Sequence, residues 1–139
     1  MTVWHLEQRS PLPPSAISDS RGGAGSITAI ERLATPSIPH YRYLFNRVGI
    51  PWNWFSRNRM TDLELAKIIH DSRVEVLQLW AGEQLAGFAE LDRRVDGEVE
   101  LKFFGLFPEF TGRGLGKLFL KQVLHLAWST SPNRVWLHT

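Results

Sequence analysis

Three glycines at alternate positions stand between a strand-like and a helix-like segment of this chain. They are Gly112, Gly114 and Gly116, within the stretch PEFTGRGLGK. Glycine lets a backbone approach a ligand closely and adopt positive φ angles. The first turn of a helix carries unpaired N–H groups and a partial positive charge. Together these features predict a phosphate-binding loop at the start of a helix, with Arg113 and Lys117 adding positive charge.

Two common phosphate loops do not fit this pattern. A P-loop around Gly116-Lys117 would need Gly at position 111 and Ser or Thr at position 118, where the chain has Thr111 and Leu118. A dinucleotide-binding fingerprint needs GxGxxG at the first βα turn, whereas the spacing here is GxGxG after a run of strands. The plain alternative is a tight strand-to-helix turn, which explains one glycine better than three.

Hydrophobic periodicity predicts the order β-α-α-β-β-β-α-β after a short N-terminal strand. This order is typical of an α/β or α+β protein with a mixed, mainly antiparallel sheet flanked by helices. Asp96-Gly97 is a hairpin turn signal within the central meander, and Thr61 with Glu64 suits a capping box. The expected helices span residues 40–48, 61–70 and 114–129, and the expected strands span 2–8, 27–33, 74–80, 84–92, 97–107 and 134–139.

The length of 139 residues suits one domain with a real hydrophobic core. Residues 10–26 are rich in Pro, Ser and Gly and show no periodicity, which is typical of a linker or mobile loop. The predicted organisation is therefore an N-terminal strand plus linker over 1–26, followed by a folded domain over 27–139.

Composition excludes several kinds of site. The chain has no Cys, so a disulfide scaffold, a Cys-ligated zinc and a cysteine nucleophile are excluded. The five histidines share no ligand spacing, so no metal site is expected. The 16 basic and 14 acidic residues are interleaved, which argues against a nucleic-acid partner. No apolar run is long enough for a membrane span and no signal peptide is apparent, so we expect a soluble cytoplasmic protein with no membrane partner.

The strand, loop, GRGLGK stretch and amphipathic helix resemble motif A of the GNAT acyltransferases. That family's acetyl-CoA signature, Arg/Gln-x-x-Gly-x-Gly/Ala, aligns with Thr111 to Gly116, with Thr111 in place of the usual Arg or Gln. The resemblance covers roughly residues 27–139 and includes VGIPWNWFSRNR, GFAELDRR and RVWLHT, which look like a bacterial branch of the family. It implies a GNAT-like acyl-CoA N-acyltransferase fold that here lacks the last helix and two strands.

The resemblance also implies a function and the residues that carry it. An acetyl group would pass from acetyl-CoA to an unknown primary amine, a small molecule or a peptide, by direct attack. The backbone of Gly105, Leu106 and Phe107 would pair with the pantetheine arm, with Gly105 permitting the close approach. The residues implied for the pyrophosphate loop are Thr111, Gly112, Arg113, Gly114, Leu115, Gly116 and Lys117.

A lysine-type amine has a pKa of about 10.4, so it must lose a proton before it attacks a thioester. Glu100 lies where histone-type members of the family carry their catalytic Glu, and Glu90 is a weaker alternative. Lys102 lies on the same strand face as Glu100, so a simple charge pair is an equal alternative. The family's reprotonating Tyr belongs to the missing helix, and the only tyrosines are Tyr41 and Tyr43.

The aromatic residues before the meander fall where the family encloses its acceptor, although ordinary packing explains them as well. They are Tyr41, Tyr43, Phe45, Trp52, Trp54 and Phe55.

Two other functions stay open at this point, namely a truncated, catalytically weak acyl-CoA-binding domain and a protein-interaction module. Because the chain ends on a strand, RVWLHT, we expect an exposed sheet edge and a homodimer formed through it. The alternative is that residues 2–8 cover this edge.

Overall fold

The computed structural model of the chain describes residues 5–9 and 28–138, so the predicted linker lies outside the described residues. The described residues form one six-stranded sheet with helices against both faces. Two 3₁₀ turns span Ile50–Trp52 and Pro108–Phe110. The strands are β1 (His5–Gln8), β2 (Thr28–Leu33), β3 (Val74–Ala81), β4 (Gln84–Asp92), β5 (Glu98–Leu106) and β6 (Arg134–His138), and the helices are α1 (Ile38–Gly49), α2 (Asp62–Ile69) and α3 (Leu115–Trp128).

The predicted fold class is confirmed. The strand order is β1-β6-β5-β4-β3-β2, and every neighbouring pair is antiparallel except β5 and β6, which run parallel. The predicted meander is β3, β4 and β5, and Gly97 in its second turn has a φ of 77°. Helix α2 begins with the predicted capping box, in which Thr61 and Glu64 each accept a hydrogen bond from the other's backbone N–H.

Helices α1 and α3 cover opposite faces of the sheet. Alternate residues of a strand point to opposite faces, and the end of β5 shows this directly. A Cβ atom on Gly105 would meet Val48 of α1, whereas the next residue, Leu106, lies against Gly116 of α3. Strand β4 is buried from Ala86 to Leu91, so the core surrounds this central strand on both faces.

Strand β1 lies along the outer edge of β6. The two strands are antiparallel, with Leu6 opposite Leu137 and Gln8 opposite Val135. The indole N–H of Trp128 on α3 donates to Gln8 Oε1 at 2.9 Å. The expectation of an exposed β6 edge is therefore wrong, because the N-terminal strand occupies that edge. A homodimer formed through the β6 edge would have to displace β1.

Strands β5 and β6 pair only at their N-terminal ends. The parallel register covers Glu98 to Glu100 on β5 and Arg134 to Trp136 on β6. Beyond these three residues β5 stays hydrogen-bonded to β4 alone as far as Leu106. The sheet therefore splits between β5 and β6 after Glu100.

A β-bulge in β5 coincides with this split. Glu90 of β4 lies opposite Phe103, and Leu91 lies opposite Leu101, which leaves Lys102 as an extra residue in β5. A bulge bends its strand and increases the local twist. We attribute the divergence of β5 from β6 to this bend.

Packing against α1 explains Gly105. A Cβ atom at this position would lie 2.2 Å from Val48 Cγ1 and 3.9 Å from the ring of Trp54. The close approach of a pantetheine arm to this glycine stays a prediction, and the structure adds an internal reason for it. The missing side chain lets α1 pack directly on β5.

A charged pair is buried between the segment after α1 and β4. Arg57 Nη2 lies 2.6 Å from Glu90 Oε2, and the two side chains are only 4% and 0% exposed. The Tyr41 hydroxyl donates to Glu90 Oε1 and accepts a hydrogen bond from Arg57 Nε at 3.1 Å. Burial, reinforced by the Glu90 carboxylate, raises the pKa of Tyr41 well above its usual range. The three side chains therefore form one satisfied polar network inside the core.

This network reaches the bulge. The guanidinium of Arg57 lies 5.2 Å from the ring centroid of Phe103, the residue opposite Glu90. Arg42 of α1 holds the same segment by donating to the carbonyl oxygens of Arg57 and Met60 at 3.0 and 2.8 Å. The segment between α1 and α2 is thus tied to the point where β5 bends.

We expect Gly105→Ala to lower the free energy of unfolding by about 1–3 kcal/mol, because the new methyl group overpacks the contact with α1. Val48 is β-branched and buried in a helix, so its side chain has little freedom to turn away. The measurement is urea unfolding of Gly105→Ala, Val48→Ala and the double variant. The cost of Gly105→Ala should be smaller in the Val48→Ala background, and strictly additive costs would contradict the contact.

We expect Glu90→Ala to destabilise the protein by about 3–5 kcal/mol, because it leaves the Arg57 guanidinium buried without its partner. The triple variant Tyr41→Phe, Arg57→Met, Glu90→Leu should regain most of that loss, since it removes every polar member of the network together. Chemical denaturation of both proteins tests this. A cost below about 1 kcal/mol for Glu90→Ala would show that Arg57 finds another partner or water.

Candidate active site

A cleft of about 350 Å³ opens beside the split between β5 and β6. Leu101 lines a cavity together with residues of α3, so its side chain is on the α3 face of the sheet. Neighbouring residues of a strand point to opposite faces, so Glu100 and the cleft that it lines are on the face opposite α3. The volume of the cleft is in the range of small-molecule sites. We call it the polar cleft, and its lining residues are Asp92, Arg94, Val95, Glu98, Glu100, Lys102 and Trp136.

Glu100 lines the polar cleft, as a general base for an incoming amine requires. Its Oε2 atom lies 3.7 Å from Lys102 Nζ, so the charge pair considered from the sequence is present. The Glu100 side chain is 12% exposed and still forms part of the cleft wall. A general base must lie within reach of the proton that it takes, and Glu100 lines the cavity in which an amine would bind.

Asp92 faces Glu100 across the β4–β5 pair, and sequence reasoning did not single it out. Its carboxylate accepts hydrogen bonds from Arg94 Nε at 3.0 Å and Arg94 Nη2 at 2.7 Å. Burial raises the pKa of Asp92, but the hydrogen bonds from Arg94 outweigh burial and hold that pKa below its usual range. Asp92 is therefore ionised at neutral pH and adds negative charge beside Glu100.

Glu90, the weaker candidate base, lies elsewhere. It is fully buried, and its two oxygens are bonded to Tyr41 and Arg57. It does not line the polar cleft. The structure therefore gives Glu90 a role in the core, and Glu100 stays the candidate base.

The glycine loop adopts a conformation that only glycine takes easily. Gly112 and Gly114 have φ angles of 76° and 77°, in the region that residues with a Cβ atom rarely adopt. A Cβ atom at either position would meet nothing within 4 Å. Backbone geometry rather than crowding by the protein therefore explains these two glycines.

Gly116 is different, because it lies in the first turn of α3 with helical geometry. A Cβ atom here would make only an ordinary contact, 3.8 Å from Leu106 Cδ1. Glycine within a helix costs up to about 1 kcal/mol relative to alanine. Neither backbone conformation nor protein packing requires Gly116.

The N-terminus of α3 has features that favour binding of an anion. Its N-cap, Gly114, has no side chain to satisfy the first N–H groups, and the first turn carries no acidic residue. The Arg113 guanidinium lies 5.4 Å from the ring centroid of Phe110, and Lys117 is exposed. Free N–H groups, the helix dipole and two cations together fit a phosphate or pyrophosphate.

Thr111 closes the turn before the glycines. Its hydroxyl donates to the carbonyl oxygen of Pro108 at 2.7 Å, and its N–H donates to the same oxygen at 3.2 Å. The residue that replaces the signature's Arg or Gln is therefore used for loop geometry.

The backbone at the end of β5 offers fewer free groups than expected. The Phe107 N–H donates to the carbonyl oxygen of Ala86 at 2.7 Å, so it is not free for a pantetheine arm. Because successive peptide groups of a strand point to opposite edges, the Leu106 N–H points toward the split. Of the three residues predicted here, only Leu106 presents its N–H to the split, and by the same alternation Phe104 does so as well.

The two tyrosines have separate environments. Tyr41 belongs to the buried network with Glu90 and is inaccessible. Tyr43 is 47% exposed and packs edge-on against Phe107 at the far end of β5, with ring centroids 6.0 Å apart. Neither lines the polar cleft beside Glu100.

The other aromatic residues before the meander divide into two groups. Phe45 and Trp54 pack against Phe103 in the core, with ring centroids 5.1 and 5.3 Å from it. Trp52 and Phe55 are 70% and 53% exposed. The packing interpretation holds for the first pair, and the acceptor interpretation stays a prediction for the second.

The described residues contain neither a metal-binding cluster nor a membrane-spanning helix. Residues 5–9 and 28–138 contain no group of three or more His, Asp or Glu side chains placed to hold a metal ion. Within the same ranges no helix combines the length and hydropathy needed to cross a bilayer.

Comparison with known proteins agrees with this geometry. The model of the acetyltransferase (GNAT) family matches residues 39–139. The uncharacterized N-acetyltransferase YedL of Escherichia coli K12 is 32% identical over 71 residues, which are 51% of this chain and 45% of YedL.

Solved structures share the fold. A functionally unknown conserved protein from Staphylococcus epidermidis superposes with a TM-score of 0.62 at 18% identity, covering 99% of this chain and 49% of that one. The PaiA N-acetyltransferase of Thermoplasma acidophilum, solved in complex with coenzyme A, has a TM-score of 0.58 at 19% identity, covering 76% of this chain and 75% of that one.

The chain thus spans less than half of YedL and about half of the staphylococcal protein. The family match nevertheless covers well over half of this chain, and it includes the split strands, the polar cleft and the glycine loop. The chain belongs to the GNAT acetyltransferase family.

Proposed function

We propose that this chain binds acetyl-CoA and transfers the acetyl group to a primary amine. The observation that carries the proposal is Gly116, a helix-weakening glycine that neither conformation nor packing requires, at an uncapped helix start beside the split in the sheet. Family membership supports the reaction class. The PaiA N-acetyltransferase, which has the same fold, was solved with coenzyme A.

The residues that would hold acetyl-CoA fall in two groups. The N–H groups of the first turn of α3, with Arg113 and Lys117, would bind the pyrophosphate. The outward peptide groups of Phe104 and Leu106 would bind the pantetheine arm within the split, where β6 no longer pairs with β5. When bound, acetyl-CoA supplies a thioester as the acyl donor.

The split leads from the glycine loop to Glu100. Leu106 lies four residue steps along the strand from Lys102, a distance of roughly 13 Å at about 3.3 Å per residue. An extended arm bound along this stretch would bring its end to the bulge, beside the polar cleft. Donor and acceptor would then meet between the two sides of the sheet, and holding them together supplies much of the rate enhancement.

Glu100 would take a proton from the ammonium form of the acceptor. The neutral amine then attacks the thioester carbon, so a C–N bond forms and the C–S bond breaks. The leaving thiolate takes the second amine proton, and the products are an amide, a thiol and one proton bound to Glu100.

We expect Gly116→Val to weaken CoA binding at least tenfold while changing the stability of the free protein by about 1 kcal/mol or less. A Cβ atom at this position makes only an ordinary contact with Leu106 in the free protein, whereas the proposal places the ligand against this turn. Thermal shift with CoA measures this, since a ligand that binds only the native state raises stability by RT ln(1 + [L]/Kd).

Gly116 is a cleaner probe than Gly114, because a side chain at Gly114 would also strain the positive-φ loop. His125→Val, at an exposed position of the same helix, is the matched control. Equal CoA affinity in Gly116→Val and the control would refute the pyrophosphate site.

We expect Glu100→Gln to lower kcat by about tenfold to a hundredfold, most strongly at low pH, where more of the amine is protonated and removal of the proton limits the rate. Release of the CoA thiol from acetyl-CoA with a panel of amines is the assay. Glu98→Gln, on the same strand face and paired with Arg134 at 2.9 Å, is the control.

A loss of less than about twofold with an unchanged pH profile would reduce Glu100 to a charge partner of Lys102. CoA binding without turnover by the unaltered protein would instead indicate the second candidate, an acyl-CoA-binding domain.

A further inference from the structure

An apolar groove lies on the opposite side of the split from the polar cleft. Its volume is about 120 Å³, and residues of β1 close its outer end. The residues that define it come from β5, α3 and β6, and we call it the apolar groove. They are Leu101, Leu120, Leu124, Val135, Trp136 and Leu137.

Trp136 lies between the two cavities. It is the last residue of β6 that pairs with β5, so it stands where the split begins. It lines both the polar cleft and the apolar groove. The split therefore has a charged side that contains Glu100 and an apolar side that contains Leu101, its neighbour in β5.

We infer that the apolar groove receives the acyl chain of the donor, and that the protein prefers acyl groups longer than acetyl. The inference rests on the proposed function, which places the thioester at the bulge between Leu101 and Phe103. The polar cleft, where the acceptor amine would bind, is lined by charged residues. An apolar acyl chain is therefore more stable in the apolar groove on the other side of the sheet.

The volume sets the length of the chain. An apolar cavity of about 150 Å³ holds benzene with its six carbons, so about 120 Å³ holds about four or five carbons. An acetyl methyl alone would leave most of the groove without contacts. Chains with three or four carbons beyond the carbonyl, butyryl and pentanoyl, match the volume.

The test measures binding and turnover of CoA, acetyl-CoA, butyryl-CoA, pentanoyl-CoA and octanoyl-CoA by the full chain. Each buried methylene is worth about a fourfold gain in affinity. We expect affinity to rise about tenfold from acetyl to butyryl, to level off at pentanoyl, and not to rise further at octanoyl. Light scattering on the same samples reports the oligomeric state.

Leu124→Phe would fill the groove, and we expect it to abolish the preference for butyryl while acetyl-CoA still binds. Leu124→Ala would enlarge the groove, and we expect it to move the optimum to a longer chain, which keeps the test decisive if the Phe variant fails to fold. His125→Phe places the same new side chain on the exposed side of α3 and should leave the series unchanged.

Equal affinity for acetyl and butyryl donors, with CoA still bound, would overturn this inference and leave the proposed function intact. A Leu124 variant that altered the oligomeric state and not the acyl series would also overturn it, and would identify a second copy as the occupant of the groove. Absence of binding by CoA and by every donor would instead be a failure of the proposed function.

Discussion

The bend at Lys102 is the feature on which the rest of the site depends. One extra residue in β5 separates Leu101 from Phe103 in the register with β4, and β5 pairs with β6 only before it. A regular sheet would have paired these strands to their ends and left no opening. The opening exposes backbone groups of β5 and gives each side of the sheet a cavity at the same place.

A buried network of charged and polar side chains contacts the residues of that bend. Glu90 lies opposite Phe103 at the bulge, and Arg57 contacts both residues. A buried ion pair is seldom more stabilising than apolar side chains of the same size. Its value here is geometric, because it holds the segment after α1 and the bulge in one arrangement. The aromatic rings of Phe45 and Trp54 pack on Phe103 from the same side.

The four unusual glycines of this region do not share one cause. Gly105 makes room for α1, Gly112 and Gly114 carry positive φ angles, and Gly116 has neither reason. The sheet also has an unusual edge, because β1 from the beginning of the chain pairs with β6 from its end. That pairing closes the outer end of the apolar groove, so the N-terminal strand shapes the cavity as well as the sheet.

Local patterns in the sequence determined the elements and the loop. The strand and helix periods, the Thr61 capping box and the glycines after β5 act over a few residues, so the sequence alone predicted them. It also indicated the family, and Glu100 as the candidate base. Only the tertiary structure decided the bulge at Lys102, the burial of Glu90 and the pairing of β1 with β6. Each of these depends on contacts between residues far apart in the chain, and a pattern of neighbouring residues does not show which distant residues will be in contact.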